Sequence, residues 1–382
     1  MQNYSMNHVK KIGIVGGGQL AQMMTEAATK LKLSIIVVDP SPNCPAAQAG
    51  ADQIVADYKD AEAIKQLADK SDVVTIDFEH VNAEVLHELE IDGALVQPSS
   101  RTIAMIQDKL VQSNFLKDAG LPIADYLETN TIEEARSALM EFDGKMLLKK
   151  RKQSYDGKGN AVVGSEDELF KAWDILGGNE LYAERFVDFE KELAVIIARD
   201  TKGNSVVYPT VETVHINNIC HEVFLPGEFR NGVDKKAREI ADRTSKALHG
   251  AGVFAIEMFL TKTGEILINE IAPRVHNSGH PTIEGSTTSQ FEQHLRAITG
   301  MELGLTEMKV PAAVMINILG KRNGEAKPEG IDQAEKLPGV VVHLYDKAYT
   351  KVDRKMGHIT ATADTLEEAK QNVEKAYSLI TI

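Results

Sequence analysis

Residues 253–273 read VFAIEMFLTKTGEILINEIAP, two apolar strand-like runs joined at Lys262 to Glu265 with a glycine in the turn. A hairpin centred between Thr263 and Gly264 sets Glu257 directly opposite Glu270 on one face. Their Cβ atoms are then about 4.5 to 5.5 Å apart, where like charges destabilise a sheet. The same alternation turns Asn269 away from Glu257. Two carboxylates facing each other among apolar neighbours call for a cation. Hard oxygen ligands with no nearby histidine or cysteine favour magnesium, which commonly takes one or two carboxylates plus substrate phosphates. The alternative is an exposed pair with one glutamate swung into solvent.

Directly after the hairpin comes APRVHNSGHPT (272–282), a loop dense in polar groups: Arg274, His276, Asn277, Ser278 and His280. His276 and His280 have H-x-x-x-H spacing, but Gly279 and Pro281 disfavour the helix that would bring both onto one zinc ion. A donor-rich loop beside a metal-phosphate site suits anion binding better, and Arg274 can hold a planar carboxylate through two parallel hydrogen bonds. Upstream, KKRKQSYDGKGN (149–160) sets Gly157 and Gly159 around Lys158, close behind Lys149 and Lys150. Flexible backbone with free amides and a cation can fold over a polyphosphate, although the spacing is not that of a Walker loop.

Farther out, GIVGGGQLA (13–21) places Gly16, Gly18 and Ala21 between a strand and a helix, and Asp39 ends the next strand. Alone, this dinucleotide-like fingerprint suggests NAD. Any tight strand-to-helix turn wants glycines, however, and exposed amides at a helix start suit any phosphate or ribose. Glu79, in TIDFEH, ends the fourth strand of the same sheet, so Glu79 and the Gly16–Leu20 turn can line one crevice. Near the other end, YDKAYTKVDRKMGHIT (345–360) gathers Lys347, Arg354 and Lys355.

The 382 residues carry a formal net charge of −14, which disfavours non-specific nucleic-acid binding and requires cations to be concentrated wherever phosphates bind. At this length two or three domains are expected. No apolar run approaches the roughly 20 residues of a membrane span, and the N-terminus lacks an apolar signal core, so the expectation is a cytoplasmic protein with no membrane partner. Cys44 and Cys220 are too far apart in sequence to suggest a disulfide scaffold or a thiolate zinc site.

Strand-like and helix-like segments alternate over the first hundred residues: KIGIVGG, QLAQMMTEAATKL, SIIVVD, DAEAIKQLADK, DVVTIDFE, NAEVLHELEI and ALVQPS. That is the pattern of a mostly parallel sheet covered by helices. Residues 101–120 read as one long amphipathic helix ending at Gly120. Mixed helices and strands follow to about Gly300, and a third segment offers strands AAVMINIL and VVVHLYD before a closing helix.

GGGQL (16–20), DFEH (77–80), DKL (108–110), YDGKG (155–159), the glutamate hairpin, PRVHNSGH (273–280), SQFEQHLRA (289–297) and DRKMGH (353–358) together resemble the ATP-grasp superfamily. Within it the chain resembles the N5-carboxyaminoimidazole ribonucleotide synthases of purine biosynthesis, and PRVHNSGH followed by SQFEQHLRA is the most specific part. The resemblance implies a mixed α/β and α+β fold. It would have a Rossmann-like pre-ATP-grasp domain at 1–108, an ATP-grasp domain at 109–305 clamping ATP between two subdomains, and a small β-rich domain at 306–382.

By the same resemblance, Lys109, Lys149 and the loop Ser154, Tyr155, Asp156, Gly157, Lys158, Gly159 and Asn160 would contact ATP phosphates. Glu184, Arg185, Phe186, Val187, Glu192 and His215 would surround adenine and ribose. Asn269 and Glu270 would complete the nucleotide site, with one or two magnesium ions on Glu257 and Glu270. Gln19, Leu20, Glu79, Tyr155, Lys347, Arg354 and Lys355 would surround aminoimidazole ribonucleotide. Arg274, His276, Asn277 and Ser278 would lie near bicarbonate, with Tyr155 and Lys355 joining them in catalysis.

The implied reaction is attack of bicarbonate on the γ-phosphate of ATP to give carboxyphosphate, which carboxylates the substrate amine; the implied assembly is a homodimer. The chain departs from the family pattern at Pro281, where an aromatic residue is expected, and in QSYDGKG, which lacks a double glycine before the tyrosine. Competing readings are a formate-dependent glycinamide ribonucleotide transformylase, an NAD-binding oxidoreductase and a non-catalytic nucleotide sensor. The HNSGH loop, the lack of a hydride-transfer set, and the intact glutamates and lysines weigh against these in turn.

Overall fold

A computed structural model describes residues 9–152 and 159–382. β1 (Lys11–Val15), β2 (Ser34–Asp39), β3 (Asp52–Val55) and β4 (Val73–Ile76) form a parallel sheet in the order β3-β2-β1-β4. Both faces are covered, so these strands are apolar almost throughout. Ile12, Ile14, Ile35 and Val37 pack toward the helix Gln19–Leu31, while Val15, Ile36 and Val38 pack with Ile64, Leu67 and Leu86 on the opposite side. β3, which makes the strand leading to Glu79 the fourth, is not among the segments quoted from the sequence because DQIV is short and only half-buried. The expected strand ALVQPS supplies only an isolated bridge, Val74 to Val96, before Pro98, which has no amide hydrogen to extend a ladder.

The single helix expected over 101–120 is two helices, Ser100–Gln107 and Lys109–Asp118, broken at Asp108. Asp108 has φ −109° and ψ 108°, and its carboxylate accepts from the amides of Leu110 and Val111 as an N-cap. Arg151 Nη2 holds the same carboxylate at 2.7 Å. The break places Lys109 at the first position of the second helix.

β5 (Tyr126–Thr129), β6 (Met146–Lys150), β7 (Asn160–Val163) and β8 (Leu181–Arg185) form a small antiparallel sheet, ordered β5-β8-β6-β7, under the helices Ile132–Glu141 and Glu166–Ile175. The large sheet begins with β9 (Phe189–Arg199), β10 (Ser205–Val207), β11 (Val211–Ile216), β12 (Ile219–Leu225), β13 (Gly252–Thr261) and β14 (Ile266–Ala272). It continues with β15 (Ala312–Leu319), β17 (Val340–Leu344) and β19 (Lys355–Ala363); β16 (Gly324–Glu325) and β18 (Tyr349–Thr350) pair apart.

Its order is β14-β13-β9-β11-β12-β15-β19-β17, with β10 on β9. The C-terminal strands therefore extend the central sheet through β12 and β15 rather than forming a sheet of their own. The helix Val233–Ala247 packs on one face of β9 and β13, and the helix Gln290–Thr299 on the other. Among the described residues no helix is long and apolar enough to cross a membrane.

Candidate active site

The hairpin turn is tighter than a centre between Thr263 and Gly264 implies. Thr261 N–H donates to Glu265 O at 2.9 Å, and Leu260 pairs with Ile266, Phe259 with Leu267, and Met258 with Ile268. That register would carry Glu257 to Asn269. A β-bulge between Glu257 and Met258 shifts it by one residue, and Glu257 pairs with Glu270 after all. The expected pairing is present for a different reason, and the unbroken alternation on which the expectation for Asn269 rested does not hold. The bulge resets the alternation, leaving Asn269 and Glu270 both half-buried between buried Ile268 and Ile271.

Each glutamate has a partner. Lys109 Nζ lies 2.5 Å from Glu270 Oε2, and His276 Nε2 lies 3.1 Å from Glu257 Oε1. Burial, and next the charge of Glu270, push Glu257 up to about 7. Burial acts the same way on Glu270, but Lys109 outweighs it and holds this carboxyl below its ordinary range. One carboxylate is thus compensated by a lysine, while its neighbour carries an ionisation penalty that a cation would relieve. These acidic oxygens suit a hard divalent ion.

Pro273 ends the strand and starts the loop. Arg274 Nε donates to Glu79 Oε2 at 2.6 Å, and Nη1 to Val275 O at 3.0 Å, so part of the expected carboxylate fork is already engaged. Burial opposes ionisation of Glu79, yet Arg274 brings it down to about 2. His276 is driven down to about 3 by burial first, then by Arg274 and Lys355. It is a neutral ring whose Nδ1 accepts from the Ser278 amide at 3.3 Å, so Nε2 carries the proton and donates to Glu257. Both amide atoms of Asn277 are buried without a hydrogen-bond partner among the described residues. A water-sized cavity of about 20 Å³ is bounded by Glu79, Lys109, Glu270, Arg274 and His276, which brings the expected metal, carboxylate and ribonucleotide residues together.

On the nucleotide side, Lys149 on β6 pairs with Glu184 on β8 at 3.1 Å, both nearly buried. Burial would discharge Lys149, but Glu184 raises its affinity for the proton and keeps it cationic. The Arg185 side chain is tied to Asp125 at 3.1 Å and Asp143 at 3.0 Å. Lys145 Nζ sits 3.6 Å above the Phe186 ring, and Val187 lies in the link from β8 to β9. Glu192 hydrogen-bonds His215 across β9 and β11; burial lowers the imidazole's proton affinity, but that bond raises it on balance. Gly159 and Asn160 lead into β7, whereas Ser154, Tyr155, Asp156, Gly157 and Lys158 lie outside the described residues.

The glycine turn requires correction. Gly16 has φ +103°, and a Cβ there would meet Asp77 and Phe78 within 2.9 Å, so glycine is needed. The amides expected to be open are largely taken: Gly17 N–H donates to Asp39 Oδ2 at 3.0 Å, and Gly18 and Ala21 donate to Asp77 at 2.7 and 3.1 Å. Burial lifts Asp77 to about 6 against these bonds. Asp39 is partly committed to the turn itself, accepting from Gly17 N–H through Oδ2 and from Ser41 N–H through Oδ1. Gln19 and Leu20 open the helix just beyond.

Facing this turn, Lys347 Nζ donates to Lys355 O at 2.7 Å, and Arg354 Nη1 to Tyr349 O at 2.6 Å. Burial, then the charge of Arg354, bring Lys347 down to about 7. No set of three or more histidine, cysteine or acidic groups fit for a metal occurs among the described residues. Asp77, Gln290 and His294 were missed by the sequence reading, although each lies within a quoted motif.

The fold and this site define an ATP-grasp enzyme. Residues 114–291 match the ATP-grasp domain, residues 9–107 the ribonucleotide synthetase preATP-grasp domain, and residues 313–372 the phosphoribosylaminoimidazole carboxylase C-terminal domain. The structure is similar to N5-carboxyaminoimidazole ribonucleotide synthetase from Thermotoga maritima, with 43% identity, a TM-score of 0.89, and coverage of 97% of this chain and 99% of that one.

It is also similar to the Aspergillus clavatus N5-carboxyaminoimidazole synthase solved in complex with ADP and 5-aminoimidazole ribonucleotide. Here identity is 37% and the TM-score 0.90, over 97% and 98% of the two chains. The chloroplastic phosphoribosylaminoimidazole carboxylase of Vigna aconitifolia is 40% identical over 95% of this chain, which spans 66% of that longer protein. The chain belongs to the N5-carboxyaminoimidazole ribonucleotide synthase family.

Proposed function

We propose that this chain uses ATP and bicarbonate to carboxylate 5-aminoimidazole ribonucleotide, giving N5-carboxyaminoimidazole ribonucleotide, ADP and phosphate. The observation that carries this reading is the opposed Glu257–Glu270 pair: Glu270 lines one cavity with Lys109, Arg274 and His276, and Glu257 meets His276 Nε2 at 3.1 Å. Lys109 and Lys149 neutralise charge developing on the transferred phosphoryl group. Glu184 to Val187, Glu192, His215 and Asn269 surround the nucleotide, and Glu257 and Glu270 hold magnesium, which supplies positive charge at the phosphates when bound. The loop 274–278 takes bicarbonate, Asn277 offering its unsatisfied amide and Arg274 its remaining donors. Gln19, Leu20, Glu79, Lys347, Arg354 and Lys355 hold the ribonucleotide.

A bicarbonate oxygen attacks the γ-phosphorus, and ADP leaves. The substrate amine then takes the carboxyl group from carboxyphosphate, phosphate leaves, and the amine proton is released. His276, held neutral with Nε2–H on Glu257, can pass a proton in this step. Magnesium as the metal, a homodimer, cytoplasmic placement and the division at residues 108 and 305 are part of the proposal. ADP release should require aminoimidazole ribonucleotide and bicarbonate together. Release with formate and glycinamide ribonucleotide instead, or no joint requirement, would reject this reading.

A further inference from the structure

SQFEQHLRA (289–297) is the motif the reaction above leaves without a role. It forms the helix Gln290–Thr299, capped by Ser289. Gln290 and His294 stand four residues apart and so share a face, and neither side chain is exposed. Gln290 Oε1 accepts from His276 N–H at 2.9 Å, and its Nε2 donates to His276 O at 2.6 Å. One carboxamide therefore grips both backbone groups of a single loop residue, fixing its direction as well as its position. Thr282 Oγ1 reinforces the grip by accepting from Gln290 N–H at 2.9 Å and donating to Gly279 O at 2.6 Å. A Cβ on Gly279 would stand 2.3 Å from Gln290 Oε1, so only glycine lets the loop approach this closely.

One turn along, His294 Nδ1 accepts from Val253 N–H at 3.0 Å, which leaves Nε2 to donate to Thr75 Oγ1 at 2.9 Å. Val253 lies on the strand that carries Glu257, and Thr75 on the strand that leads to Asp77 and Glu79. A single helix face thus joins the metal hairpin, the ribonucleotide crevice and the loop that bears Arg274 and His276.

We propose that Gln290 is a positioning residue for carboxylation: its two-point hold on His276 aims Arg274, His276 and Asn277 at bicarbonate. The inference rests on the bicarbonate reading of the site. An apolar side chain of the same length would fill the space but leave the His276 N–H unpaired and its C=O with the Gly279 amide alone. The loop would then shift, and misplacement by about 1 Å can cost about a hundredfold in rate.

The test compares wild type, Gln290→Met, Gln290→Glu and Thr282→Val for ADP formed per carboxylated product, bicarbonate kinetics, ATP affinity and thermal midpoint. Gln290→Met should lower kcat/KM for bicarbonate about ten- to a hundredfold and release surplus ADP, with ATP affinity within about threefold of wild type. Should Gln290→Met fail to fold, Gln290→Glu keeps the bond to His276 N–H, sets an oxygen against His276 O, and should show the same uncoupling. Thr282→Val, which retains the grip, should lose thermal stability but remain coupled. Coupled turnover with wild-type bicarbonate kinetics in the Gln290 variants would overturn the inference. So would equal uncoupling in Thr282→Val with parallel loss of ATP affinity. A wild type that forms no bicarbonate-dependent product would instead reject the proposed function, and the wild-type arm distinguishes that failure.

Discussion

At the head of β1 the amides of Gly17, Gly18 and Ala21 meet the carboxylates of Asp39 and Asp77, whereas across β13 and β14 the carboxylates of Glu257 and Glu270 meet each other. Both regions look like ligand sites in the sequence. In the first, a phosphate-binding pattern is largely satisfied from within, and what remains for a ligand is the helix start at Gln19 and Leu20. In the second, like charges are held together by strand pairing and are only partly relieved by Lys109 and His276. The difference teaches that a motif's donors must be counted against its own neighbours before a ligand is assigned to them.

The comparison breaks most visibly at Glu270. Glu270→Gln should cut turnover at least about a hundredfold, the scale for removing one positioned electrostatic group. It should also lower thermal stability, because Lys109 loses its carboxylate. Glu257→Gln should hold or raise stability, since it relieves repulsion and its amide can still accept from His276. Wild-type turnover of both variants at limiting magnesium would remove the metal assignment.

Arg274→Ala should lower turnover by about a hundredfold, with ATP affinity by titration within a few-fold, because Lys109 and Lys149 are untouched. Loss of ATP binding with normal consumption of whatever ATP binds would place the loop in the nucleotide clamp.

At the internally satisfied turn, effects should be smaller. Asp77→Ala strips a cap from two amides and should cost about 1 to 2 kcal/mol in denaturant unfolding, with ATP affinity unchanged. A large rise in the Kd for ATP would mean that the turn serves the nucleotide.

The smallest effect concerns protons. Lys347, held near 7, is mostly neutral at pH 8, and a bound phosphate dianion favours its charged form. Binding of aminoimidazole ribonucleotide at pH 8 should therefore take up a fraction of a proton, seen by calorimetry in buffers of different ionisation enthalpy. Affinity should weaken as pH rises through 7 and above. Lys347→Met should abolish the uptake, and uptake that persists would assign it elsewhere.

Much of this was legible in the sequence, because the large elements follow from periodicity. The continuous apolar runs of β1, β2 and β4, the two strands of the hairpin, and the closing helix Leu366–Leu379 declare themselves within short windows. Long-range contacts do not. The bulge that brings Glu257 to Glu270 depends on β9 holding the other edge of β13, and the break at Asp108 depends on Arg151. Gln290 and His294 read as ordinary polar positions on a helix until His276, Val253 and Thr75 arrive from elsewhere in the chain. The glycine turn misled because the partners that fill it, Asp39 and Asp77, come from the ends of two other strands.

The most direct test of the whole account is the fate of oxygen from 18O-labelled bicarbonate during turnover with ATP and aminoimidazole ribonucleotide, quenched before the label exchanges with water. If bicarbonate attacks the γ-phosphorus as proposed, each inorganic phosphate released should carry one labelled oxygen. Unlabelled phosphate formed alongside carboxylated product would contradict the carboxyphosphate route, and with it the role given to the hairpin and its loop.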